Sequence, residues 1–387
     1  MGGKSVVVVG AGIVGAATAY FLSRRGYRVR LIEAQAPAAA ASGSADGAVS
    51  VASKRPGPMM TTALAGIALY RQLDKEGLFA GLFKQRPTVM VAEDDGEVES
   101  LSGHADALAG EGMSLRRIDG EALRGYLPAV SSGVRLAIEV GDEGHAIGYE
   151  IVRRLIAASG AAVERDTKVL GLVESASSRS IAAVSTSRGP VEADHFVIAA
   201  GGGSADLIGL PGIVRPRKGQ LVVTERAQAL NASLPGALMS CRYLLSKDAI
   251  KGAGAATERR FGLVVDPLRT GQFLIGGTRE ETADTGNDLA AVRHMLASAV
   301  RLVPALARLR VIRVFAGVRT ATSDGLPIIG RMPGRDNLVV ATGFEGDGIC
   351  LGPLVGQAVS RIVAGEPTDL DLRPFAPDRF SQRSLVA

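Results

Sequence analysis

Tryptophan is absent from this chain of 387 residues, and ten phenylalanines with six tyrosines leave it poor in flat rings. Stacking on nucleic-acid bases depends on such rings. Basic runs are short as well: Lys54-Arg55-Pro56 and Arg215-Pro216-Arg217-Lys218. A nucleic-acid partner is therefore not expected, and the net charge of +5 reads as a general attraction for anions. Only two cysteines occur, Cys241 and Cys350, too few by themselves for a disulfide framework or a four-ligand metal site and compatible with a reducing compartment. No Ser/His/Asp arrangement, metal site or solenoid repeat is visible in the sequence. Long apolar runs are lacking too. Residues 6–22 follow Lys4 as the core of a leader peptide would, but glycines interrupt them, and Ser23-Arg24-Arg25 comes next without a small-residue cleavage site. The stretch is marginal for a membrane span. The expectation is a folded cytoplasmic protein without a transmembrane segment.

Glycine is what the chain has in excess: its 49 glycines exceed the usual share of about 7% and sit in short turns. The length exceeds that at which one core stops growing, so two domains are expected. The opening is the most patterned region. Residues 6–9 are a β-branched run suited to a parallel strand buried on both faces. Gly10-Ala11-Gly12-Ile13-Val14-Gly15 turns the chain into a helix over 16–25, Gly26 stops it, and a second strand over 27–33 ends on Glu33. This complete βαβ unit carries the dinucleotide fingerprint in its required context, with an acidic residue 23 positions after Gly10. Gly10 permits the tight turn, Gly12 leaves room for a pyrophosphate, and Gly15 lets helix and strand pack. The helix N-terminus offers unpaired N–H groups, and Glu33 suits ribose hydroxyls. Ile13, Val14 and Ala34 belong to the same site.

Further along, helices are expected beyond Pro58 and over 95–108, 147–159, 289–302 and 354–363. Strands are expected over 88–92, 169–174, 181–187, 191–193, 195–200, 221–224, 243–245, 262–266, 273–276, 311–318 and 337–341. Residues 375–387 read as a loosely held tail. The small-residue patch from Ala36 to Gly47 suits a backbone close to a ligand or a surface loop. An NAD enzyme would continue with further αβ units, whereas this chain leaves on a long excursion and returns at 195–203 and 343–353. A glycine-dense loop before a final helix would place N–H groups against the negative edge of a reduced flavin.

On these residues, with Gly141-Asp142 and Gly317-Val318-Arg319-Thr320 through Asp324-Gly325-Leu326-Pro327-Ile328-Ile329-Gly330, the chain resembles the D-amino-acid oxidase superfamily, in its glycine and sarcosine oxidase branch. The resemblance implies an α/β fold. A doubly wound, Rossmann-like FAD-binding domain would be assembled from 1–85, 145–205 and 310–387, and a substrate domain on a mixed or antiparallel sheet from 86–144 and 206–309. It also implies that Ser42 contacts the FAD phosphates, with Gly47 in the same loop, and that Val169 holds the adenine. Ala200 and Gly201 would end the strand covering the cofactor, and Gly346, Asp347, Gly348 and Ile349 would wrap the flavin ring. Arg319 would grip a substrate carboxylate through two parallel hydrogen bonds, or else serve as a structural ion-pair residue. Thr320 stands where the family has proline, and Phe344 where relatives often have histidine. Lys54 and Arg55 suit either the active site or a solvated turn, and Cys350 either a buried helix start or a covalent flavin anchor.

The implied activity is oxidation of a C–N bond in an amino acid or N-substituted amino acid by hydride transfer to flavin N5. Residues 215–225 and 346–353 are most similar to catalytic β subunits of opine, hydroxyproline or proline dehydrogenases and of hydrogen cyanide synthase, so partner redox subunits are expected. A stand-alone, homo-oligomeric oxidase and a non-catalytic FAD scaffold are the alternatives.

Overall fold

The structure is a computed structural model and describes residues 3–248 and 259–380. Its first sheet grows from Ser5–Val9, flanked in parallel by Arg28–Ile32 on one side and His195–Ile198 on the other. Ala162–Glu164, Leu338–Thr342 and Ile328–Arg331 complete six strands, the last of them antiparallel. Side chains alternate across a strand, so the valine run serves two cores. Val6 and Val8 join Leu31, Val197 and Val339 on one face, and Val7 and Val9 join Phe196, Ile198 and Val340 on the other. Helices Ile13–Arg24, Gly148–Ser159 and Gly348–Ala364 cover the first face. On the second lies the antiparallel meander Val169–Glu174, Ile181–Thr186 and Gly189–Glu192, through Val169, Ile181, Val184 and Val191.

Helices Ile13–Arg24 and Gly348–Ala364 touch backbone to backbone, since a Cβ on Gly356 would stand 2.5 Å from Cβ of Ala17. The C-terminal helix also contains Pro353, which has no N–H for the carbonyl of Ile349. The Tyr70 hydroxyl, from the helix Pro58–Lys75, donates to that carbonyl at 2.8 Å.

The second large sheet has eight strands in the order Val311–Thr322, Val214–Thr224, Phe273–Arg279, Arg260–Pro267, Ala237–Ser240, Thr88–Ala92, Leu136–Val140, Leu115–Asp119. Only the pair Ala237–Ser240 and Thr88–Ala92 is parallel, so the sheet is mixed. Helix Leu289–Leu302 packs on it through Val292, Met295, Ala299 and Leu302. Asp288 caps that helix, accepting from Ala290 N at 2.7 Å and Ala291 N at 3.3 Å, a contribution of about 1 kcal/mol.

Four expectations are corrected. Residues 243–245 are helical, inside Cys241–Asp248, because Cys241 and Leu244 lie three apart and are both buried. The C-terminal helix starts at Gly348 rather than 354, so half of the glycine-dense loop is its first turn. Residues 311–322 pair along the whole of Val214–Thr224 as an edge strand of the eight-stranded sheet, not as a strand of the FAD-binding sheet. Of the expected loose tail, 375–380 is docked: Phe375 and Phe380 are buried, and Arg379 donates to Leu326 O and Pro327 O at 2.8 and 3.0 Å. The rest of that tail, 381–387, lies outside the described residues.

Candidate cofactor and substrate site

At the carboxyl ends of the first sheet's parallel strands runs a groove of about 560 Å³. Its middle is nearly all backbone. Gly10 has φ 100°, and a Cβ there would lie 2.4 Å from Ala199 O. Gly15 does not line the groove but underlies it, since its Cβ would strike Gly10 O at 1.9 Å. Two side chains brace the turn. Glu33 accepts from Ala11 N at 2.8 Å and from Gln35 N at 2.9 Å, while Ser42 Oγ accepts from Ile13 N at 3.0 Å. One end of the groove is walled by Glu33, Ala34, Lys168 and Val169, the centre by Gly12, Ile13, Val14 and Ser42, and the far side by Ala200, Gly201, Thr320, Glu345 and Gly348. The Thr342 hydroxyl donates to Gly201 O at 2.9 Å and ties that far wall together.

The groove runs into a smaller cavity of about 100 Å³ between the two sheets, lined by Ser42, Asp46, Tyr243, Arg279, Arg319 and the run Glu345 to Ile349. Arg319 and Thr320 are neighbours on one strand and therefore point to opposite sides, Arg319 into this cavity and Thr320 into the groove. The Arg319 guanidinium crosses the adjacent strand over Gly219 and donates to Thr278 O at 3.2 Å. A Cβ on Gly219 would sit 2.4 Å from its Nη2, so the glycine is the trough in which the arginine lies. Among the described residues Arg319 forms no ion pair.

Around it is a network that the sequence does not reveal. Arg217 pairs with Glu281 at 2.6 Å and Glu345 at 2.8 Å, and Arg279 lies 3.8 Å from Glu345 with its guanidinium 4.6 Å from the Tyr243 ring. Burial would raise the Glu345 carboxyl, but Arg279, Arg217 and Arg319 together hold it down at about 2. At the start of the C-terminal helix Lys54 pairs with Asp347 at 2.5 Å. Burial pulls the Lys54 ammonium down, yet the nearby acids, Asp347 above all, outweigh it and raise its pKa. Lys54 is thus a buried ion-pair partner at the cavity's edge rather than part of a solvated turn. Its loop is held by Glu143, fully buried, which accepts from Val51 N and Ala52 N, both at 2.6 Å, and from the Ser50 hydroxyl at 2.8 Å. Burial pushes the Glu143 carboxyl up.

Of the residues singled out in the sequence, Gly10, Gly12, Ile13, Val14, Glu33, Ala34, Ser42, Val169, Ala200 and Gly201 line the groove. Arg319, Gly346, Asp347, Gly348 and Ile349 line the cavity. Gly47 lines neither: its carbonyl accepts from Ala146 N at 2.8 Å, and a Cβ there would meet His145. The sequence reading passed over Arg279, Tyr243, Glu345 and Glu143. For Arg279 the only signal was its place at the end of the strand Phe273–Arg279; Glu345 was inside the flagged glycine loop.

The side-chain-free centre, the carboxylate at one end and the helix start fit a dinucleotide. A groove of this kind opening onto a guanidinium-lined cavity between two sheets is the arrangement of a nucleotide-cofactor oxidoreductase. Residues 5–362 match the family model described as FAD dependent oxidoreductase (DAO), and the chain belongs to that family, with FAD as its cofactor. It is 28% identical to a glycine oxidase of Geobacillus kaustophilus, over 97% of this chain and 96% of that protein. It is 27% identical to the hydrogen cyanide synthase subunit HcnC of Pseudomonas aeruginosa, over 97% and 96%. The crystal structure of glycine oxidase from Bacillus cereus superposes with a TM-score of 0.84 at 24% identity, covering 96% of this chain and 98% of that one, and shows the same fold. Among the described residues no helix is long and apolar enough to cross a membrane.

Proposed function

We propose that this enzyme oxidises the C–N bond of an amino acid or N-substituted amino acid. The observation that carries the reading is Arg319: a guanidinium laid in a glycine trough at the cavity, with no carboxylate of its own among the described residues. In this reading Gly10, Gly12, the start of helix Ile13–Arg24 and Ser42 hold the pyrophosphate, Glu33 the ribose, and Ala34 and Val169 the adenine. Ala200 and Gly201 cover the cofactor, and Gly346, Asp347, Gly348 and Ile349 hold the ring. Bound FAD would supply the two-electron acceptor for the carbon beside the nitrogen, and water would hydrolyse the imine product. The chain's own contribution is placement. Arg319 binds the carboxylate by two parallel hydrogen bonds and so fixes the carbon next to it. Lys54 holds Asp347, and Glu143 holds the loop that carries Lys54. The names of the two relatives, a glycine oxidase and a cyanide synthase subunit, support an amino-acid-like substrate. Anaerobic bleaching of the flavin by amino acids and N-alkyl amino acids, lost in Arg319→Ala with FAD content kept, tests it; bleaching unaffected by that substitution would place the carboxylate elsewhere.

The chain further reads as the catalytic subunit of a larger dehydrogenase. The feature favouring this is the sheet's long edge strand Val311–Thr322, which pairs on one side only and leaves Val311 and Ile312 exposed. Peroxide yield measured together with mass in solution decides it. A soluble homo-oligomer making stoichiometric peroxide would return the chain to the stand-alone oxidases.

A further inference from the structure

Glu345 is the one acid among the described residues that lines both the groove and the cavity. Its backbone has φ 46°, a left-handed conformation that a side chain disfavours and glycine takes freely, yet this glycine-dense loop carries a glutamate there. Its N–H donates to Thr320 O at 2.8 Å, which sets it beside Arg319, and a Cβ on the next residue, Gly346, would lie 3.8 Å from Arg319 Cδ. Oε1 is taken: Arg217 donates to it at 2.8 Å, and Arg279 lies 3.8 Å away. The bond from Arg217 is the carboxylate's only hydrogen bond among the described residues, and the side chain keeps 28% of its surface open. Oε2 is thus left for what enters. Asp347 is held by Lys54, and neither Asp347 nor Asp46, the other acids of the cavity, reaches the groove. A carboxylate already matched by two guanidiniums also has a chemical use: it accepts an N–H without strongly favouring the protonated amine. The free lone pair of the neutral amine is what becomes the C=N bond as hydride leaves the carbon.

Resting on the amine-oxidation reading above, we infer that Glu345 Oε2 accepts the N–H of the substrate's amine while Arg319 holds its carboxylate. Both groups are substituents of the reacting carbon, so two anchors fix its rotation as well as its position. Arg217 and Arg279 act through Glu345, by holding its other oxygen.

Two carboxylates of the same shape isolate the amine. 2-Aminoisobutyrate has no hydrogen on its amine-bearing carbon and so is not oxidised; pivalate carries a methyl in place of the amine. Each is titrated into the yellow holoenzyme, following the flavin absorbance. Wild type should bind 2-aminoisobutyrate roughly ten- to a hundredfold more tightly, the range of one hydrogen bond to a charged group. Glu345→Gln, which keeps an acceptor oxygen without the charge, should narrow that ratio, and Glu345→Leu should abolish it; Glu345→Gln decides if Glu345→Leu does not fold. Pivalate should bind the variants at least as well as the wild type, because a negative charge near Arg319 has gone. A site that had merely collapsed would weaken both ligands. Equal affinities in the wild type (including no binding of either), an undiminished ratio in either variant, or weakened pivalate binding would overturn the inference. So would a ratio lost in Asp46→Asn and kept in Glu345→Gln. Turnover separates the inference from its premise. If amino acids bleach the flavin while the wild-type ratio is one, the Glu345 contact fails and amine oxidation stands. If no amine bleaches it while 2-aminoisobutyrate binds through Glu345, amine oxidation loses its support and the contact remains.

Discussion

The groove and the cavity are adjoining but are built on opposite principles. The groove is made of backbone: its defining residues at 10, 12 and 15 fall within one turn, and side chains serve it mainly by staying out of the way. The cavity is made of side chains from distant parts of the chain, with Arg217 and Glu345 128 positions apart in sequence. A backbone site tolerates little because any added atom fills it. A side-chain site degrades in steps, since each charge is separately replaceable.

The largest effect should come from the backbone side. Gly12→Val places a side chain where the pyrophosphate approaches, starting from a Cβ 3.1 Å from Ser42 Oγ. The protein should purify colourless, and a yellow variant with full FAD content would break the contrast. On the side-chain side, Arg319→Ala should cost about 2–5 kcal/mol in kcat/KM, with Arg319→Lys recovering part and FAD content unchanged in both. Glu345 supplies a pH test. Its carboxyl stands near 2 in the folded protein against 4.5 for the free group. Its stabilisation is therefore complete above about pH 4.5 and lost as pH falls toward 2, on the order of 3 kcal/mol. Thermal unfolding of wild type and Glu345→Gln between pH 7 and 2 should show the wild-type advantage shrinking in that window; a constant offset would mean that the carboxylate is not held by the guanidiniums. Gly219→Ala touches both sides. Its methyl must displace the Arg319 guanidinium, costing about 1–2 kcal/mol in kcat/KM at wild-type FAD content. Least consequential is Cys350, buried, with burial pushing its thiol up to about 12. Cys350→Ala should cost about 1 kcal/mol of stability. Acid precipitation should release all the flavin from wild type and variant alike, which a covalent anchor at this cysteine would prevent.

The same contrast explains what could be read from the sequence. The βαβ unit, Thr88–Ala92 and Leu289–Leu302 were legible because local periodicity and local turns decide them. Ala237–Ser240 and Leu115–Asp119 were passed over, being short or largely polar strands whose pairing comes from elsewhere in the chain. Tyr243 to Leu245 carried strand-forming residues and became helix because burial at Cys241 and Leu244 outweighed propensity. Arg217 was hidden in what read as a small basic run, yet its side chain is only 11% exposed and faces two carboxylates. Nothing local distinguishes such an arginine from a surface one.

The contact between Ala17 and Gly356 has a consequence for how the protein is made. The helix that must lie on Gly356 leaves the ribosome early, and its cover is synthesised more than three hundred residues later. At roughly 5–20 residues per second that is an interval of tens of seconds. Until its end Ile13 and Ala17 lack the cover of Gly352 and Gly356, and Leu338–Thr342 extends the sheet only late in it. The eight-stranded sheet, including Val311–Thr322, is translated entirely within this wait. The FAD groove has all its walls only once Gly348 has been made, long after the fingerprint.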